Sequence, residues 1–86
     1  MFMIDSPVLL GQKVYTKYGQ KYREWTVVGF WISMEEEYNS FHAARYDKQG
    51  KLACTMSYRF SDVGKIIFTS LEEMHKNSWQ LGNFIL

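Results

Sequence analysis

Cysteine and proline are almost absent from this sequence, which contains one of each, Cys54 and Pro7. A single cysteine excludes a disulfide within the chain, and it excludes cysteine-rich zinc sites, which need several thiolates. The two histidines, His42 and His75, are not spaced as a metal-binding pair. We therefore expect no metal and no cofactor, and we interpret Cys54 as a small buried residue of a strand.

A charge excess and a long apolar run are also lacking. Ten Lys and Arg are balanced by nine Asp and Glu, whereas a dedicated duplex-binding protein usually has a clear basic excess. No apolar run approaches the roughly 20 residues that span a bilayer, and the first residues lack the basic and apolar regions of a signal peptide. These absences predict a soluble, cytoplasmic protein that does not contact a membrane.

Apolar and aromatic residues, in contrast, are abundant. They make up 47% and 17% of the 86 residues, with three Trp, six Tyr and six Phe. A chain this short buries a smaller share of its surface than a large protein does, and so needs a dense core. The rings are sufficient for such a core, so we expect one domain over residues 1–86, without a disulfide or a metal.

Alternation of apolar and polar residues predicts five short strands, over residues 8–18, 22–34, 38–46, 51–60 and 65–68. Gly11 would mark a bulge or bend in the first strand. Gly29 would allow a bend in the long second strand, which is apolar on both faces. Gly50 suits a bulged hairpin turn after Asp47. In the fourth strand the alternation is clean, so we expect one buried face that includes Leu52 and Met56, and one solvated face.

A short helix should follow the last strand. Ser61-Asp62-Val63-Gly64 is a turn signal, Ile66-Ile67-Phe68 is typical of a buried strand, and Thr69-x-x-Glu72 predicts a capping box. The predicted units are thus a β-barrel over residues 8–68, a capped helix over 69–77 and an apolar tail over 78–86. We expect a mainly β fold, a five-stranded SH3-like barrel or a curled antiparallel sheet with one short C-terminal helix; an OB-like barrel is a further alternative.

These motifs resemble those of small proteins from phages, prophages and conjugative elements of Gram-positive bacteria. Gly11-x-x-Val14-Tyr15, Trp25-Thr26-Val27-Val28 and the block from Asp62 to Glu73 match, over about residues 11–76, a pattern that reads roughly GDxVY…DIGKxVFLTREEAE. Gln12 replaces the usual Asp, and Ser70, Leu71 and Met74 change the helix. The resemblance implies an SH3-like β fold in the cytoplasm of a bacterial host. It also implies a role in binding a host or phage macromolecule, with inhibition of a host defence system as one such role.

No catalytic residues emerge from the sequence. Ser40 and His42 lie two apart on a predicted strand, but a nucleophile and base also need an orienting carboxylate. Glu35-Glu36-Glu37 is typical of a solvated turn. We therefore expect a protein that is not an enzyme.

Two surfaces are candidates for binding. The first hairpin combines basic side chains with rings that could stack bases, although such residues also protect a sheet edge; its candidates are Lys13, Tyr15, Lys17, Lys21, Tyr22 and Arg23. The second surface is the apolar tail, which would either pack on its own chain or form an interface; its candidates are Trp79, Leu81, Phe84, Ile85 and Leu86.

Three functions follow from these surfaces. The leading hypothesis is a binding module for a host or phage protein. The alternatives are a nucleic-acid-binding module that uses the first hairpin, and a homo-oligomeric structural protein held together by the tail.

If the first hairpin binds nucleic acid, changing Lys13, Lys17 and Lys21 to Glu is expected to abolish that binding, because the phosphate contacts become repulsive. Binding to a labelled oligonucleotide is measured by a gel shift, with circular dichroism as the check on folding. Unchanged binding by a folded variant would contradict a nucleic-acid site on this hairpin.

Overall fold

The computed structural model describes the backbone of residues 6–82 and the side chains of residues 6–76. Five antiparallel strands form one sheet in the order β4-β3-β2-β1-β5, and a helix follows them. The elements are β1 (Lys13–Tyr18), β2 (Lys21–Trp31), β3 (Ser40–Tyr46), β4 (Leu52–Arg59), β5 (Ile67–Phe68) and α1 (Leu71–Gly82). This architecture confirms the predicted mainly β fold with a C-terminal helix.

The sheet is open. Strands β4 and β5 lie at its two edges, and no ladder joins them within the described part of the chain. The sheet nevertheless curls, because Tyr58 on β4 contacts Trp25 on β2 although β3 lies between them, with ring centroids 6.0 Å apart. Of the predicted alternatives, the structure therefore has the curled antiparallel sheet.

Two turns form where the sequence predicts them. Between β3 and β4, the Asp47 carboxylate accepts hydrogen bonds from the amides of Gln49 and Lys51, and Gly50 has a φ of 81°. Before β5, the chain makes a 3₁₀ turn over Phe60–Asp62, and the Asp62 carboxylate accepts a hydrogen bond from the Arg59 amide. The Asp47 bonds thus close the hairpin between β3 and β4, and the Asp62 bond lies at the end of β4, where the chain leaves the sheet before β5.

The bend predicted at Gly29 is a β-bulge. Val27 pairs with Ala43, but the next pair along the ladder is Gly29 with His42, so Val28 is an extra residue. An extra residue reverses the alternation of side chains beyond it. Phe30 consequently faces the core side, whereas Trp31, which should share a face with Trp25, is turned to the outer side and is 63% exposed.

The predicted strands are longer than the observed ones. Strand β1 begins at Lys13 rather than Val8, because the Gln12 amide donates to the Leu9 carbonyl and closes a turn. A 3₁₀ turn over Glu36–Tyr38 replaces the expected start of β3, and the three glutamates there are exposed, as predicted. Backbone hydrogen bonds within these turns remove residues from the ladders at each end.

The core lies on the concave side of the sheet. Its buried residues come from β1, β2, β3 and β5 and from the segment before β1; they are Val8, Val14, Trp25, Val27, Phe41, Ala43 and Ile67. Tyr58 and Phe60 pack against this cluster from β4 and the 3₁₀ turn that follows it. Phe68 pairs with Tyr15, so its side chain leaves the sheet on the other face. Helix α1 contacts β1 and β5 and buries Met74.

The helix begins one residue later than predicted and runs further. The expected capping box of Thr69 and Glu72 is wrong, because the Ser70 hydroxyl accepts the hydrogen bond from the Glu73 amide. Thr69 instead donates its hydroxyl to the Glu73 carboxylate at 3.2 Å. Since Ser-x-x-Glu and Thr-x-x-Glu overlap here, propensity alone could not select the register.

The expected boundary between helix and tail is also displaced, since residues 78–82 continue α1. The side chains of Trp79 and Leu81 lie outside the described residues, and so do Phe84, Ile85 and Leu86. An interface formed by these five residues therefore remains a prediction.

The hydrogen bond from the Trp25 indole N–H to the Thr16 hydroxyl is buried and 2.9 Å long. Thr16→Val removes the acceptor and leaves the indole N–H without a partner, so we expect a loss of about 1–3 kcal/mol in the free energy of unfolding. Urea denaturation measures this loss. As a control, Thr26→Val on β2 removes an exposed hydrogen bond to Lys13 and is expected to cost within about 0.5 kcal/mol. Equal losses in the two variants would contradict the structural role of this bond.

Candidate binding groove

A groove of about 500 Å³ lies between β4 and the segment that leads into β5. This volume falls within the range of small-molecule and side-chain pockets in proteins. Its apolar lining comes from three parts of the sheet and consists of Trp25, Met56, Tyr58, Ile66 and Phe68. The groove exists because the sheet curls without closing, which leaves a gap between its two edges.

The floor of the groove is fixed, and its rim is exposed. Trp25 is only 3% exposed and is held by its hydrogen bond to Thr16 and by the edge-to-face contact with Tyr58. Met56 and Ile66, by contrast, are 49% and 56% exposed. Large apolar side chains on the rim of a rigid concave surface provide contacts that a ligand can bury.

Three cationic residues belong to the lining, Lys17, Arg23 and Lys65. No acidic side chain is among the described residues that form it. Arg23 is opposite Thr16 in the β1–β2 ladder, and its guanidinium lies 3.7 Å from the centre of the Tyr18 ring. Lys17 follows the last β1 residue that pairs with β5, and Lys65 precedes β5. All three side chains therefore contribute to the lining of the groove.

None of these cations has an acidic partner within the part of the chain that the structure describes. The ion pair found there joins Lys13 to Glu24 at 3.7 Å, on the outer face and half exposed. An exposed pair of this kind contributes little stability. The positive charge of the groove is thus available to a ligand.

Tyr58 lines the groove together with the buried Trp25 and the cationic Arg23. Burial raises the pKa of the phenol above its usual 10.0, nearby Cys54 raises it further, the Arg23 guanidinium lowers it in part, and Asp62 raises it. The phenol is therefore neutral at ordinary pH and presents a hydroxyl that can donate or accept a hydrogen bond.

The six predicted hairpin residues do not form one surface. Strand alternation and the β1–β2 register place Lys13, Tyr15, Lys17 and Tyr22 on the outer face, and Lys21 and Arg23 on the concave face. On the outer face Tyr15 and Tyr22 contact each other edge to face at 5.9 Å, and Glu24 neutralises part of the charge. Although Lys17 and Arg23 lie on opposite faces, both line the groove. Lys17 directly follows Thr16, the last β1 residue that pairs with β5.

His42 has a different partner from the one considered in the sequence. Its Nδ1 atom lies 2.8 Å from the Ser57 hydroxyl across the β3–β4 ladder, rather than beside Ser40. The pair is exposed on the outer face, and no hydrogen bond joins His42 to a carboxylate among the residues described. The arrangement is a cross-strand polar contact.

Other kinds of site are not seen in the part of the chain that the structure describes. It contains no group of three or more His, Cys, Asp or Glu positioned to hold a metal ion. None of its helices has the length and apolarity needed to cross a membrane.

Comparison of the chain with protein-family models, with curated proteins and with solved structures finds no match. Function therefore has to be inferred from the geometry of the groove.

Most groove residues were not predicted as site residues. The predicted buried face of β4 is correct in part, since Cys54 and Tyr58 are half-buried against the core, whereas Leu52 and Met56 are 60% and 49% exposed. Leu52 leaves that face because a register shift in the β3–β4 ladder makes Ala53 an extra residue. Lys65 was missed because only the return of β5 to β1 brings it near Arg23.

The pKa of Tyr58 predicts a loss of stability in alkaline solution. A phenol with a folded pKa above its unfolded value contributes stability that is fully present below pH 10.0 and lost as the pH rises through the folded pKa. We expect the free energy of unfolding to fall more steeply above this pH in the wild type than in Tyr58→Phe. Urea titrations at a series of alkaline pH values measure both slopes. Parallel slopes would contradict the burial of this phenol.

Proposed function

We propose that this chain is a small non-catalytic binding protein whose groove receives an extended segment of a protein partner. The observation that supports this proposal is the position of the groove between two sheet edges, with exposed apolar side chains on its rim. An extended segment could bury Met56 and Ile66 and place a side chain over the aromatic floor. Recognition of a segment in this way needs no catalytic group.

Strand β4 supplies the backbone contacts for such a segment. It is an edge strand, so alternate amides and carbonyls point away from β3. Proteins usually protect such edges with charges, proline or bulges. From Leu52 to Tyr58 the strand contains no charged residue and no proline, and its bulge is confined to the end near Leu52, which leaves the segment from Cys54 to Tyr58 regular. An edge of this kind is suited to strand addition, in which the backbone gives affinity and pockets give specificity.

The resemblance to proteins of phages and other mobile elements extends this proposal to a host or phage protein as the partner, and to inhibition of a host defence system as the role. The alternative, nucleic-acid binding by the first hairpin, has less support. Its six candidate residues are divided between the two faces of the sheet. Oligomerisation through the C-terminal residues stays a prediction.

The proposal is tested by affinity capture from a nuclease-treated lysate of a Gram-positive bacterium, with three baits. Met56→Glu places a charge on the apolar rim, whereas the control Thr55→Glu places the same charge on the opposite face of the same strand. Both positions are exposed, so both variants should fold. We expect a stoichiometric protein with the wild type and with Thr55→Glu, and at least a tenfold smaller amount with Met56→Glu.

Two results would count against this function. Equal capture by the Met56→Glu bait would show that binding does not use the groove. Capture that occurs only when nuclease is omitted would show that nucleic acid, rather than protein, is what the chain retains.

A further inference from the structure

We infer that the groove selects an acidic segment, a short extended peptide that carries carboxylates beside an apolar side chain. This inference rests on the proposed function and names the chemistry of its partner. Three observations support it: the cations in the lining that have no acidic partner, the burial of the largest ring, and the lack of acid in β4 itself.

The charge of the groove differs from that of the whole chain. The net charge is only +1, with ten basic and nine acidic residues, yet the charged residues of the lining are Lys17, Arg23 and Lys65. Within the described part of the chain none of the three forms an ion pair. A carboxylate brought to these cations would therefore gain partners without displacing one.

The positions of the cations match a peptide bound along β4. Arg23 is partly buried, its guanidinium lies 3.7 Å from the centre of the Tyr18 ring, and it lines the groove together with Tyr58. Lys17 and Lys65 are exposed and can adjust to a ligand. In an extended peptide, side chains two residues apart share a face, so an apolar side chain over Met56 and a carboxylate towards Arg23 can come from one strand.

A single-stranded nucleic acid fits the groove less well. Such ligands gain affinity by stacking bases on accessible aromatic faces. The largest ring of the groove is not accessible, since Trp25 is 3% exposed, and the Tyr58 ring is half-buried against it. The exposed apolar rim consists instead of Met56 and Ile66, which suit aliphatic side chains.

A second copy of this chain is also a poor occupant. Pairing between two copies through their open edges would place β4 of one chain beside the groove of the other. The sequence of β4 contains no acidic residue and ends with Arg59. The cationic lining of the groove would then face a strand of neutral or positive charge.

The inference is tested by selection from a display library of random peptides about 12 residues long, enough to run along an edge strand at about 3.3 Å per residue. Peptides are selected on the folded wild-type chain, and those that also bind the uncharged variant Met56→Gln are removed. We expect the remaining peptides to have a net negative charge compared with the unselected library.

One selected peptide is then synthesised with a fluorescent label and measured by anisotropy. Lys17→Gln combined with Lys65→Gln is expected to weaken its binding about tenfold, as the loss of two exposed ion pairs allows, and added salt should reduce this difference. Lys13→Gln combined with Lys48→Gln changes the net charge equally at two positions outside the lining of the groove, one on the outer face and one in the β3–β4 turn, and should bind as the wild type does. Arg23→Gln, checked for folding by circular dichroism, is expected to weaken binding at least as much.

The outcomes separate the inference from the function on which it rests. Met56-dependent peptides that are neutral or basic, or that bind the two lysine variants equally, would overturn the acidic ligand and leave the groove as a peptide site. A library without any Met56-dependent peptide would overturn both. Competition by oligothymidylate at lower concentration than the peptide, lost in the Lys17 and Lys65 variant, would assign the groove to nucleic acid and overturn the peptide.

Discussion

The structure depends above all on the burial of one side chain, Trp25. Its indole N–H donates to Thr16 on β1, its ring meets the edge of Tyr58 on β4, and the Arg45 guanidinium lies 5.6 Å from its ring centre. A flat sheet would leave β2 and β4 separated by β3. The need to bury a large ring against both neighbours therefore curls the sheet, and the curl creates the concave face.

The same constraint explains why the molecule has a groove rather than a closed barrel. Strand β5 contributes two residues, Ile67 and Phe68, and both are used in pairing with β1. No further strand is available among the described residues to bridge β5 and β4. The unfilled gap leaves Met56 and Ile66 exposed at a cost in apolar burial, and it leaves the cations around Arg23 without acidic partners. Incomplete closure thus supplies the features on which a binding function is proposed.

Much of the fold could be predicted from residues whose structural preference is local. Gly50 and Gly64 have positive φ values in the turns where they were expected, because few other residues adopt that conformation without strain. Gly29 was correctly identified as the site of an irregularity, but its consequence was not. A bulge changes the face of every later residue, so Trp31 lies on the opposite face from Trp25 although simple alternation would place both on one face. The hairpin candidates Lys21 and Arg23 were likewise grouped with Lys13 by proximity in sequence, although alternation separates them.

The sequence by itself determined the class of fold, the turns and the supply of apolar side chains, since these follow from propensities and patterns that act over a few residues. Only the tertiary structure decided which edge stayed open, which apolar residues remained on the surface and which charges met. Lys17, Arg23 and Lys65 are brought together by the pairing of β5 with β1. That pairing joins segments about fifty residues apart in the chain, a distance over which local sequence patterns carry no information about register.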